Sequence, residues 1–108
     1  MTTVEILKAA RAKIADEKHW TQIDNARDVN DNPVSLTSQE AVCWCSNGAL
    51  FAVITFDIAY LRSRKKAESF LKAYMNPGVI QFNDSHTHAE VIAAWDAAIA
   101  NAEKAVTA

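Results

Sequence analysis

Three times in this chain a threonine is followed three positions later by a glutamate, at Thr2 and Glu5, Thr37 and Glu40, and Thr87 and Glu90, each heading a run of apolar residues at helical spacing. In such a pair the two side chains reciprocally satisfy backbone N–H groups that a helix leaves open in its first turn. Behind Thr2, the residues Val4, Leu7, Ala10 and Ile14 share one face, which predicts a helix to about Lys18. Behind Thr37, a broad face of Val42, Cys45, Ala49, Ala52, Val53 and Phe56 predicts a second helix ending near Thr55. Behind Thr87, Val91, Trp95, Ala98, Ala102 and Val106 recur, widened by Ile92 and Ile99. A further helix over 63–75, with Ala67, Phe70, Leu71 and Tyr74 inward, stops at Asn76-Pro77-Gly78; Arg64, Lys65 and Lys66 would oppose the dipole of a first turn, so a start nearer Asp57 is expected. With only two Gly and two Pro in 108 residues, the chain is read as mostly all-α: a compact single-domain bundle of about four helices over 1–108.

Two stretches break the helical pattern. Residues 19–36 hold Asp24, Asn25, Asp28, Asn30, Asp31, Asn32 and Pro33, a density of turn formers that predicts a loop with a short hairpin around Asn30-Asp31-Asn32. Residues 78–85 include Val79-Ile80-Gln81-Phe82, read as a short strand that pairs with part of the first loop in a small two-stranded β element.

Charge and cysteine usage narrow the function classes. Eleven Lys and Arg against thirteen Asp and Glu give a net charge of −2, which removes a global drive toward nucleic acid or anionic lipid. Cys43 and Cys45 are too few and too close for a disulfide framework, so they are read as reduced thiols of a cytoplasmic protein, with Cys45 packing as a small hydrophobe. No signal peptide is expected at Met1-Thr2-Thr3-Val4-Glu5, and the apolar stretch from Ala49 to Leu61 is interrupted by Asp57 and too short to cross a membrane.

No catalytic residue, metal site or cofactor is assigned. Asp84-Ser85-His86-Thr87-His88 would need a third ligand such as His19 or Asp24, because His86 and His88 straddle the helix cap. The basic cluster Arg62, Arg64, Lys65 and Lys66 is read first as a solvated face laced to Glu68, second as a docking patch for an acidic protein, and third as a nucleic-acid site. Gly48 inside the second helix implies a close approach by another backbone or a Trp ring. Trp20, Trp44 and Trp95 are expected to fill a shared core with each indole N–H partnered, an exposed Trp44 marking an interface instead. The second helix and its extension are apolar nearly all round, from Ala49 through Ile54 to Phe56, Ile58, Ala59 and Leu61, which suggests a homodimer or a partner groove.

Several blocks in order along the chain resemble a small uncharacterised family of bacterial and phage proteins, a domain of unknown function. They are Trp20, Ala26-Arg27-Asp28, Ala41, Trp44-Cys45, Gly48-Ala49-Leu50, Asn83-Asp84, Thr87, Glu90-Val91, and Asp96 with Ala98-Ile99. The resemblance implies a compact, mostly helical domain and supplies no catalytic residue; Phe82 and His86 stand where similar sequences carry Trp and Arg. It pairs the two loops: Arg27 is expected to bridge toward Asp84, with Asn83 and Asp84 serving backbone groups ahead of the last helix.

The leading expectation is a non-enzymatic protein-interaction module, of the kind a phage or mobile element uses to bind and block a host protein. A ligand binder or enzyme using the 19–36 and 78–88 loops, with Arg27, Asp28, Asn83, Asp84 and His86 around a pocket, is the alternative, and nucleic-acid binding through 62–66 the third.

Overall fold

The computed structural model describes residues 1–55 and 60–107. Along them run α1 (Thr3–Lys13), a single 3-10 turn (Glu17–His19), β1 (Ala26–Arg27), β2 (Cys43–Trp44), α2 (Ser46–Ile54), α3 (Tyr60–Lys72), α4 (Val79–Ser85) and α5 (His88–Thr107). The protein is mostly helical with one small antiparallel sheet, in which Ala26 faces Trp44 and Arg27 faces Cys43.

Two of the three Thr-x-x-Glu pairs form caps. The Glu5 amide donates to Thr2 Oγ1 (3.1 Å) and the Thr2 amide to Glu5 Oε1 (2.9 Å). At α5 the Thr87 amide donates to Glu90 Oε1 (2.9 Å) and the Glu90 amide to Thr87 Oγ1 (3.2 Å). Between Thr37 and Glu40 the amides turn to nearer hydroxyls, Thr37 to Ser35 Oγ (3.4 Å) and Glu40 to Ser38 Oγ (3.1 Å). Local side-chain bonds of this kind offer the backbone an alternative to helix. The second helix therefore starts at Ser46 rather than Thr37, and Cys43-Trp44 is strand.

Helix α1 ends at Lys13, short of the expected Lys18, and residues 79–85 also depart from expectation. This stretch is helix α4, and the small sheet pairs 26–27 with 43–44 instead. Val79, Phe82 and Asn83 are spaced for one helical face; Val79 and Asn83 are buried and Phe82 is half-buried against the core. An asparagine at an inward position conceals that periodicity in the sequence.

The core gathers Ile6, Leu7, Ala10 and Ile14 of the α1 segment, Leu50 and Ile54 of α2, Leu71 of α3, and Val91, Trp95 and Ala98 of α5. Gly48 sits where the chain at Asn25 crosses the start of α2: a Cβ there would lie 1.9 Å from the Asn25 carbonyl oxygen. The backbone approach expected at this glycine is thus present, and it fixes the loop after Trp20 against α2. Phe56, Ile58 and Ala59, and the earlier start for α3 near Asp57, lie outside the described residues. Among the described residues no helix is long and apolar enough to cross a membrane.

Candidate functional site

A polar side chain sits in the middle of this apolar core. Asn83 is fully buried, and its Oδ1 accepts from Trp20 Nε1 (2.8 Å), the Ser46 amide (2.9 Å) and Ser46 Oγ (2.9 Å). Its Nδ2 donates to the Thr21 carbonyl (3.0 Å) and to Asp84 Oδ1 (3.2 Å). Ser46 Oγ in turn accepts from Trp95 Nε1 (2.9 Å). The amide orientation follows from chemistry, because an indole N–H and a backbone N–H can meet only the oxygen. Two of the three indoles thus terminate on one Asn-Ser pair, and the third, Trp44, donates to the Leu36 carbonyl (3.1 Å). Trp44 is half-buried, with the Lys13 ammonium 4.5 Å from its ring centre.

Asn83 and its neighbours hold the loop that follows Trp20. Gln22 Nε2 donates to the carbonyls of Asn83 and His86, both at 3.1 Å, closing the end of α4. Asp84 Oδ1 accepts from the Ile23 amide (2.9 Å). Ile23 itself has φ 77° and is 74% exposed, although a β-branched residue resists the left-handed region. On its other side Arg27 reaches back, Nη2 to the Gln22 carbonyl (3.4 Å), Nε to Asp24 Oδ2 (3.0 Å) and Nη1 to Asp31 Oδ1 (3.1 Å). The bonds from Asp31 and Asp24 raise the guanidinium pKa above its usual value.

The expected bridge from Arg27 to Asp84 is replaced by these pairings: Arg27 engages Asp24 and Asp31, and Asp84 engages the Ile23 and Asn83 nitrogens. Asp28 folds its own turn, its Oδ1 accepting from the Asn30 and Asn32 amides, both at 2.9 Å. That turn carries Asp31 at φ 66° and leaves Val29 82% exposed at its tip. Asn83, Asp84 and His86 therefore share the α4 end of the loop, Arg27 and Asp28 its far end, with Gln22 the link between them. Gln22, Ile23 and Ser46 are the members that sequence reasoning missed.

The three histidines each donate a ring nitrogen to a carbonyl, which can only accept: His19 to Val42 (2.8 Å), His86 to Phe82 (2.8 Å) and His88 to Ile14 (2.7 Å). His86 also stacks on Phe82 at 3.7 Å between ring centres. Among the described residues no three His, Cys, Asp or Glu side chains are grouped to hold a metal ion. Burial pushes both cysteine thiols up from their usual pKa, keeping them protonated and weakly nucleophilic. Cys45 Sγ accepts from the Gly48 amide (3.3 Å), so this thiol caps α2.

On α3, Arg64 and Lys72 converge on Glu68 at 3.4 and 4.0 Å. Arg62, Lys65 and Lys66 remain exposed.

The sequence profile described as Family of unknown function (DUF6197) matches residues 1–101, so the chain belongs to that family. No curated protein and no solved structure matches it.

Proposed function

For a member of a family whose function is unknown, the site itself must carry the reading, and we propose a non-enzymatic protein-interaction module that presents Ile23 to a partner. The observation behind this is the conformation of Ile23. Holding a β-branched residue in the left-handed region costs about 1–3 kcal/mol and persists only where surrounding groups over-determine it. Here Asp84, Gln22 and Arg27 supply that over-determination, yet the side chain they position points into solvent. The backbone there serves the Asp84 contact, but the exposed isoleucine side chain adds little to the core. A fixed apolar knob, with Val29 on the adjoining turn, fits recognition of a pocket on another protein, since a preordered contact loses little entropy on binding.

Steric occlusion is the natural use of a rigid protrusion without reactive groups. On this reading the protein is a phage or mobile-element accessory that blocks a host protein in the cytoplasm. The ligand-pocket alternative draws less support, because Asn83 has both amide atoms occupied and Arg27 is already paired with two carboxylates.

Affinity capture of the tagged chain from host lysate, with and without nuclease, tests the proposal. A stoichiometric protein retained after nuclease by wild type and lost by Ile23→Asp is the expected result. Retention of the same protein by Ile23→Asp would overturn it. A second copy of the chain as the sole catch would make the module a homodimer.

A further inference from the structure

The interaction-module reading has a second face, built from different elements. An open groove of about 530 Å³ runs between the start of α1, the middle of α3 and the last turns of α5. Val4, Phe70, Ala102 and Val106 give it an apolar floor, and Lys65 and Lys66 stand along its α3 side. Val106 is 73% exposed, so part of that floor faces water.

Its charge is one-sided. The helix α3 carries Arg62, Arg64, Lys65, Lys66 and Lys72 against Glu68 alone, in a chain whose net charge is −2. Arg64 and Lys72 use Glu68, and among the described residues Lys65 and Lys66 form no ion pair. Glu103, next to the α5 wall, is engaged by Lys8 at 3.6 Å. Apolar floor and unmatched ammonium groups together define a ligand with an apolar stripe bordered by carboxylates.

We infer that this groove docks an acidic amphipathic helix of a partner protein. Such helices lay apolar residues at i, i+3, i+4 and i+7 into a groove while their flanks meet charges on its rim. Single-stranded nucleic acid fits less well, because it calls for a platform of aromatic faces and Phe70 is the groove's one aromatic residue among those described. Val4, Lys65, Lys66 and Phe70 lie within the residues the family match covers, and Ala102, Ala105 and Val106 just beyond them. The inference rests on the interaction-module reading but shares no residue with the Ile23 loop.

The test uses a fluorescein-labelled peptide of about 15 residues, long enough to be helical, with leucines on one face and glutamates beside them, followed by anisotropy on the whole chain. Wild type should bind it, with affinity falling as salt rises. The double variant Lys65→Glu/Lys66→Glu should weaken binding about tenfold or more, and Ala105→Trp, at an exposed position inside the groove, should do the same. Ile23→Gly should leave it unchanged. Absence of peptide binding, or binding indifferent to all three groove substitutions, overturns the inference. So does binding of a single-stranded oligonucleotide or of anionic phosphatidylglycerol vesicles, dependent on Lys65 and Lys66, in place of the peptide. Loss of peptide binding with intact Ile23-dependent capture fails the groove alone, and the converse fails the loop alone.

Discussion

Replacing Asn83 by Asp changes one group of a fully buried side chain, and the consequence can be worked from its contacts. The nitrogen that donates to the Thr21 carbonyl at 3.0 Å and to Asp84 Oδ1 at 3.2 Å becomes an oxygen facing two acceptors. Ionised, the new carboxylate would be desolvated and set beside that of Asp84, and both effects favour its neutral form. Its folded pKa is therefore raised above the unfolded value of about 3.9. For a group shifted in that direction, the stability of the protonated form is fully present below the unfolded pKa and is lost as pH rises toward the folded one. Between pH 4 and pH 7 this removes up to about 4 kcal/mol, at 1.36 kcal/mol for each of roughly three units. Even when protonated the acid supplies one donor where the amide supplied two, a further loss of about 1 kcal/mol. Thermal melts by far-UV circular dichroism, at about 4–8 °C per kcal/mol, should show Asn83→Asp slightly below wild type at about pH 4 and far below it at about pH 7. A variant melting within about 2 °C of wild type at neutral pH would refute the hub as described.

Other substitutions probe the same frame. Asp84→Ala leaves the Ile23 amide and Asn83 Nδ2 without their shared acceptor and should cost about 1–3 kcal/mol in a thermal melt; undiminished stability would mean that Asp84 holds nothing together. Gly48→Ala places a methyl 1.9 Å from the Asn25 carbonyl, so a loss of about 1–3 kcal/mol or more is expected in chemical denaturation, and a neutral result would contradict the crossing of the loop over α2. Glu5 and Glu90 have pKa values lowered from the usual 4.5, chiefly by the Thr2 and Thr87 amides, so their caps contribute above that value and are lost as pH falls through the lowered one; Glu5→Gln/Glu90→Gln should flatten the acid limb of a pH titration of helicity.

The helical class was legible because α1 and α5 meet their partners by local rules: a cap, a stripe and a charge-complemented end. The identical Thr-x-x-Glu signal at Thr37 and Glu40 misled, since nothing nearby records that Cys43-Trp44 pairs with Ala26-Arg27 or that the Ser46 amide is satisfied by Asn83. Those partners are separated by loops, and propensity yields where such contacts form. Asn83 and Asp84 could be singled out through the family resemblance, but their roles were not readable. Ile23 carries no signal in the sequence because its side chain is ordinary; only its backbone angle, fixed by a carboxylate 61 residues away, sets it apart.

The central claim is that the strain at Ile23 is kept for recognition, and Ile23→Gly measures it directly. Glycine relieves the left-handed strain of about 1–2 kcal/mol while restoring part of that freedom to the unfolded chain, and little burial is lost from a residue 74% exposed. Melting temperature should therefore stay level or rise, while affinity for the captured partner weakens at least about tenfold. A variant that binds as tightly as wild type, or that melts well below it, would contradict the account.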